Sequence, residues 1–231
     1  MSELATQSTQ DYLKVIFELC RADARASTGQ IAERLDVTPA SVTGMLKKLA
    51  ESDPPLLEYR RHRGAVLTEA GERMALETIR RHRLLELFLH EALDYGWDEV
   101  HDEADRLEHA ISDALGERIA RWLRDPAHDP HGDPIPSRDL QLPESDTMPL
   151  DEVEPGQDAV ISRVHDRDPE LLRYVEELSL TPSVAIKVLA PLPFSDHVRV
   201  QRAEDGEAVD ISAAVAQHIH VRLPQDGQVA P

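Results

Sequence analysis

"STGQIAERLDVTPASVTGMLKKLAESD", Ser27 to Asp53, decides the fold. It holds two short segments of helical apolar spacing, joined by the tight connection "DVT". In the first, Ile31, Ala32 and Leu35 face one way, and Thr28 is placed to cap the helix. In the second, Val42, Met45, Leu46 and Leu49 share a face. Pro39 suits the first turn, where no N–H is needed. The pair predicts a helix-turn-helix. Downstream, "PLLEYRRHRGAVLTEAG" (Pro55–Gly71) sets two apolar-rich arms around a basic tip, which predicts a β-hairpin lying beside it as a wing. Upstream, "STQDYLKVIFELC" (Ser8–Cys20) predicts a helix with a broad buried face, capped by Ser8 or Thr9.

A helix-turn-helix with a wing points to double-stranded DNA. The second helix begins with small side chains, Thr38, Pro39, Ala40, Ser41, Thr43 and Gly44, suited to close approach in the major groove. Lys47, Lys48, Arg60, Arg61 and Arg63 are candidates for phosphate contact, with ordinary solvation as the alternative for the lysines. No Arg, Asn or Gln stands on the early exposed face, so direct base readout is expected to be modest.

Net charge at first opposes this, because the 231-residue chain carries −19. Its distribution removes the objection: residues 1–70 are nearly neutral, at −1, whereas residues 126–231 carry −12. Hydrophobic residues make up 41% and aromatics 4%, so the cores are built from aliphatic side chains. One cysteine, Cys20, excludes a disulfide framework or a CxxC metal clamp. No apolar run is long enough to span a bilayer, and the N-terminus lacks the pattern of a signal peptide, so a cytoplasmic protein without a membrane partner is expected.

After the hairpin, Thr68 caps a long helix reaching about Leu93, and another helical stretch covers roughly 98–123. Six prolines between 125 and 149 predict a linker. Beyond it, "GQDAVISRVHD" (156–166), "SVAIKVLAPL" (183–192) and "HVRVQRAEDGEAVDIS" (197–212) have the short strands of a small β-barrel, with "DPELLRYVEEL" (168–178) as one helix among them.

The chemistry concentrates in "HDEADRLEHA" (His101–Ala110), with two histidines and four acids. On a continuous helix at about 100° per residue, His101, Asp105, Glu108 and His109 fall within a sector of about 100°. Such a stripe is either a solvated helix face or a metal site. The preceding helix adds His82 and Glu86, four residues apart, with Glu86 amid Leu84, Leu85, Leu87 and Phe88 where an unpaired carboxylate is costly. Imidazole and carboxylate without thiolate suit manganese, iron or zinc.

The order of winged helix-turn-helix, "RRHRLLELFL", "VHDEADRLEHAISDAL", "DPHGDPIP" and C-terminal β-barrel resembles the diphtheria-toxin-repressor family over about residues 5–223. The resemblance implies a dimeric metalloregulator, not an enzyme, that binds operator DNA and represses metal-uptake genes when Fe(II) or Mn(II) is replete. It implies a mainly α chain with a small β domain: a winged helix-turn-helix (1–70), a helical metal-binding and dimerisation domain (71–125), a Pro-rich linker (126–150) and a FeoA-like, SH3-like barrel (151–231). Position by position, it places the primary metal ligands at Asp11, His82, Asp105, Glu108 and His109. A second site would draw on Glu86, His101, His131 and Asp168, although His131 could equally shape a turn in "DPHG". Asp129 stands where several relatives carry Cys. Asp11 and Asp105 replace the Met and Cys of iron-type members, which favours Mn(II), with Fe(II) as the alternative and other divalent transition metals as substitutes in vitro. The simplest manganese-type pattern has a further acid one turn after Asp11; here that position is Lys14. Two readings from other classes stand beside this one. A carboxylate-bridged metalloenzyme would need Glu-x-x-His on paired helices, whereas Glu108 and His109 are adjacent. A winged-helix repressor of an organic ligand would leave the stripe merely solvated.

Overall fold

The computed structural model describes residues 6–143, 146–165, 168–190 and 196–224. The chain is mainly helical with a small antiparallel β domain at its C-terminal end, the class the sequence leads one to expect. It divides into two compact units: residues 6–82, 108–111 and 136–141 of those described form one, and the remaining described residues the other.

The first unit contains α1 (Gln7–Ala22), α2 (Thr28–Arg34), α3 (Pro39–Ala50), the hairpin β1 (Leu57–Arg60) and β2 (Gly64–Leu67), and the start of α4 (Glu69–Leu93). The first two helices are capped slightly upstream of the residues expected. Thr6 rather than Ser8 or Thr9 caps α1, accepting from Thr9 N. Ser27 rather than Thr28 caps α2, because Gln30 returns a bond to the Ser27 N–H and closes a capping box. Thr38 caps α3, with Pro39 in the first turn. Leu13, Ile16, Ile31, Val42, Leu46, Leu49 and Leu57 close one aliphatic core. The turn before α2 is bonded to the wing, since Ala26 and Ala65 exchange backbone hydrogen bonds at 3.0 and 2.9 Å. The approach is so close that a Cβ on Gly64, whose φ is +80°, would lie 2.5 Å from the Ala26 carbonyl oxygen.

The second unit holds the rest of α4, α5 (Val100–Leu107), α6 (Asp113–Trp122) and a six-stranded antiparallel sheet. Its strands are β3 (Met148–Pro149), β4 (Asp158–Val164), β5 (Ala185–Leu189), β6 (His197–Arg202), β7 (Ala208–Ser212) and β8 (Ile219–Arg222), in the order β3-β8-β4-β5-β6-β7. Helix α7 (Pro169–Glu177) lies between β4 and β5, and a single turn, α8 (Ala213–Ala216), precedes β8. Ile161, Leu172, Val175, Val188, Val200, Ile211 and Val221 fill its core. Among the described residues no ladder joins β3 to β7, so the expected small barrel is an open sheet here. Asp166 and 191–192, counted with the strands from sequence, lie outside the described residues.

One expectation needs correction and another gains detail. The stretch 98–123 is not one helix: α5 ends at Leu107, and Ser112 starts α6 by accepting from Leu115 N. Glu108 and His109 therefore sit on a turn between helices, and a wheel drawn through them does not apply. The Pro-rich segment has no regular helix or strand over 126–143, as its prolines require, yet it is no loose tether. Asp129, His131, Asp133 and Ile135 are all buried.

His220 on β8 gives the β domain an acid-sensitive element. Burial, then the charges of Arg163, His165 and His218, lowers its pKa from 6.5 to about 4. The unfolded chain binds a proton as pH falls through 6.5 while the folded chain resists until about 4. This residue therefore makes stability fall between those pH values and leaves it flat above them. The denaturation midpoint of His220→Gln should show a smaller drop from pH 7 to pH 5 than wild type; an equal drop in both would refute the assignment.

Candidate metal centre and DNA-reading surface

In the first unit, the polar cluster is organised around Glu108, which is only 1% exposed. Its Oε2 lies 2.6 Å from His82 Nδ1 and 3.1 Å from Lys14 Nζ, and its Oε1 is 3.3 Å from His109 Nε2. His109 Nε2 is also 2.9 Å from Asp11 Oδ1. Helix α1 supplies Asp11 and Lys14, one turn apart; α4 supplies His82; the turn after α5 supplies Glu108 and His109. That turn is fixed from behind, because Arg81 Nε donates to the Glu108 carbonyl oxygen at 3.1 Å.

Donor atoms of Asp11, Glu108 and His109 all lie within 4.8 Å of one another. Gln10 Oε1 is 2.6 Å from His109 Nδ1, so Nδ1–H donates to it and leaves the Nε2 lone pair facing both carboxylates. A proton on Nε2 or a divalent ion shared by the three groups would each complete this arrangement. The donors are oxygen and imidazole nitrogen throughout, a set that fits a divalent transition metal of the harder kind.

The second unit brings together Glu86, Asp129 and His131, all buried, with donor atoms within 4.8 Å of one another. Here the geometry of "DPHG" is legible residue by residue. Asp129 Oδ1 accepts from the backbone N–H of His131 and of Asp133, both at 2.9 Å. Gly132, at φ +89°, turns the chain where a Cβ would sit 1.9 Å from the Ser162 carbonyl oxygen. The His131 ring stacks on Trp97, and its Nε2 lies 2.6 Å from the Trp97 carbonyl oxygen. Nε2 must therefore carry the proton. That leaves Nδ1 as a buried lone pair with no hydrogen-bond partner among the described residues. An imidazole pinned through one nitrogen to a carbonyl, with the other bare, is the form a metal ligand takes. Arg83 on α4 and Arg163 on β4 both bond Asp133 Oδ1, at 3.2 and 3.1 Å, clamping the loop from two sides.

The other expected ligands are placed differently. His101 Nδ1 is 3.0 Å from Glu86 Oε1, and its Nε2 is 3.7 Å from Asp105 Oδ2, so it stands between those two acids. Asp105 has half its side chain exposed. Asp168 caps α7, accepting from Glu170 N and Leu171 N, is exposed, and belongs to no group of converging metal-type donors among the described residues. Sequence reasoning did not single out Gln10, Trp97 or Asp133 and gave Lys14 no contact. Only the flanking of Asp11 by polar residues on α1 hinted at the first and last.

On the DNA side, Thr38, Pro39, Ala40, Ser41, Gly44, Lys47, Lys48, Arg60, Arg61 and Arg63 are exposed and Thr43 half-buried. Thr43 Oγ1 donates to the Pro39 carbonyl oxygen, and Gly44 opens onto free space. A cleft of about 760 Å³ separates α3 from the wing, lined by Thr43, Lys47, Tyr59, Arg61 and Arg63, and also by Arg25 from the turn before α2. Arg25 was not anticipated; its Nη1 donates to the Gly64 carbonyl oxygen at 3.3 Å. Lys48 and Arg60 do not line this cleft.

A winged helix-turn-helix joined to helices that carry buried carboxylate–imidazole clusters defines a class, the DNA-binding regulators of metal-responsive type. Residues 5–65 match the description "Iron dependent repressor, N-terminal DNA binding domain", 68–137 "Iron dependent repressor, metal binding and dimerisation domain", and 148–223 "FeoA domain". The chain belongs to the iron-dependent repressor family, whose members are metal-dependent transcriptional regulators rather than enzymes. It is 35% identical over 136 residues to the iron-dependent repressor IdeR of Mycobacterium tuberculosis H37Rv, a match spanning 59% of this chain and 58% of that protein. It is 38% identical over 122 residues to the HTH-type transcriptional regulator MntR of Shouchella clausii, spanning 50% of this chain and 82% of that protein. Among solved structures, a manganese-dependent transcriptional repressor in complex with manganese superposes with a TM-score of 0.83 at 40% identity, covering 93% of this chain and 99% of the other. The manganese regulator SloR gives 0.74 at 34%, covering 93% and 98%. No helix among the described residues is long and apolar enough to cross a membrane.

Proposed function

We propose that this chain is a homodimeric, Mn(II)-responsive repressor that binds operator DNA of metal-uptake genes in the cytoplasm when the metal is replete. The observation that carries the reading is the convergence of Asp11, Glu108 and His109 donors within 4.8 Å. A bound divalent ion supplies the positive charge that lets the carboxylates share one point. Asp11 then ties α1 to the turn that carries Glu108 and His109. Because α2 and α3 pack on α1 through one core, the reading head is ordered with it. Without that charge Asp11 and Glu108 repel, and the DNA-competent arrangement loses its differential stabilisation.

We assign His82 and Asp105 to the same centre as further ligands, Asp105 lying three residues before Glu108. Glu86, Asp129 and His131 form the second site, with His101 beside Glu86 and Asp168 as an expected additional ligand. In this scheme residues 1–70 read DNA, 71–125 bind metal and dimerise, 126–150 connect, and 151–231 form the FeoA-like domain. Oxygen and imidazole donors, with Asp at both positions expected to hold soft ligands in iron-type members, favour Mn(II). The relatives named iron-dependent repressors keep Fe(II) as the second reading.

The test is an anaerobic gel shift on DNA upstream of the protein's own gene and of nearby metal-transporter genes, with chelator, Mn(II), Fe(II) or Mg(II). Retardation with Mn(II) at the lowest concentration, reversed by chelator, is expected. A lower threshold for Fe(II) selects the second reading; binding indifferent to metal rejects both.

The dimer has its own signature. Trp122 is 56% exposed, and Leu115 on α6 and Leu93 at the end of α4 are also exposed. Trp122 is held at one edge by Phe88, with ring centroids 5.5 Å apart. So large an exposed aromatic suits a partner surface. Trp122→Glu should halve the mass seen by light scattering and weaken operator binding more than tenfold.

A further inference from the structure

We propose that Lys14 sets the metal concentration to which the protein responds, because its ammonium competes with a divalent ion for Glu108. The inference rests on the metal-regulated reading above. Lys14 Nζ lies 3.1 Å from Glu108 Oε2, with the lysine side chain 13% and the glutamate 1% exposed. Water screens such a pair poorly. Lys14 is one turn along α1 from Asp11, so its position on the helix faces the same cluster. The ammonium is thus a fixed cation built into a centre whose other members are carboxylates and imidazoles.

Two effects of this charge share a sign. It offsets the mutual repulsion of Asp11 and Glu108 in the metal-free protein, which lowers what binding has to gain. It also repels any dication those residues hold. The opposing effect is loss of orientation, since a lysine that grips a ligand also aims it. Here that effect is small, because His82 Nδ1 holds the same Oε2 at 2.6 Å and Arg81 fixes the backbone carbonyl of Glu108. Glu108 stays aimed when Lys14 is neutralised, and its Oε1 still faces His109. Charge therefore outweighs orientation, and neutralising Lys14 tightens binding by about tenfold or more, the scale of a like-charge contact in a poorly hydrated site. Lys14 acts through the charge it holds beside Glu108 and is not a ligand in this scheme.

The test titrates Mn(II) against a competing chelator into the full-length protein, in a Glu86→Gln background that silences the other cluster. Lys14→Gln and Lys14→Met are each expected to bind at least about tenfold tighter than Lys14, and Lys14→Arg within threefold of it. Melting in chelator checks the fold; the neutral variants should melt lower without metal and gain more on adding Mn(II). Neutral variants that bind no tighter than wild type, or an Arg variant that tightens as they do, overturn the proposal. Asp11→Ala separates the two levels. If it weakens Mn(II) binding while the neutral lysine variants fail to tighten it, only the role of Lys14 falls. If it leaves binding unchanged, the metal-regulated reading of this centre falls as well.

Discussion

Glu108→Gln is expected to remove metal-dependent DNA binding altogether at Mn(II) concentrations that saturate the wild type, and to weaken Mn(II) binding by about a hundredfold or more. The carboxylate is shared between a histidine and a lysine on one oxygen and a second histidine on the other. An amide of the same shape presents one oxygen and one N–H donor; with its oxygen toward His82 and Lys14, the N–H donor faces the place a cation would take beside His109. Lys14 is then left largely buried beside a neutral group, and removing one partner of a buried pair costs about 3–5 kcal/mol in typical cases. The fold-neutral control is Glu103→Gln, a neighbouring acid that pairs with Arg106 on the outer face of α5. Calorimetry of the two variants side by side decides the matter. Near-equal Mn(II) affinity in Glu108→Gln and Glu103→Gln would remove Glu108 from the centre.

Gly132→Ala is the second large effect. A methyl group there meets the Ser162 carbonyl oxygen at 1.9 Å, and the backbone sits at a positive φ that alanine resists. The loop cannot simply retreat, because Asp133 is bonded to both Arg83 and Arg163 and the His131 carbonyl accepts from Val164 N at 2.9 Å. A loss of at least about 3 kcal/mol follows, which for a chain of this size lowers the melting temperature by about 10 °C. Because the same turn aims His131, the variant is also expected to lose the proposed second metal site while the proposed centre at Glu108 still titrates. A melt indistinguishable from wild type would show that the loop has room to shift.

The outline of the fold was legible because the helix-turn-helix rests on local spacing: Ile31 and Ala32, then Val42, Leu46 and Leu49, bury themselves as their periodicity dictates. Caps were ambiguous by a residue where two hydroxyls adjoin, as at Ser27 and Thr28, and a side chain three positions on decided between them. The end of α5 was not legible. "LEHAI" contains neither Gly nor Pro, and the helix stops there because one tertiary contact, Arg81 on the Glu108 carbonyl, and one local one, Ser112 capping α6, outweigh helix propensity. For the candidate site, the polar stripe singled out Glu108 and His109 and the family resemblance added Asp11, but neither could show that Lys14 turns toward Glu108. At His131 the two readings proved compatible: Gly132 shapes the turn, and the turn seats the histidine. Trp97 carried no signal at all, since its role is played by a carbonyl oxygen and a ring face.

The paired backbone bonds between Ala26 and Ala65 have a consequence for how such a regulator can diversify. They lock the wing's root to the helix-turn-helix, with Gly64 admitting no side chain, while Arg61 to Arg63 at the tip touch nothing that the core requires. Substitutions at the tip can therefore alter how tightly DNA is held without disturbing how metal is sensed, and the root must stay fixed throughout. One lineage of sensors can thereby tune its grip on DNA at these three positions without rebuilding the fold that carries them.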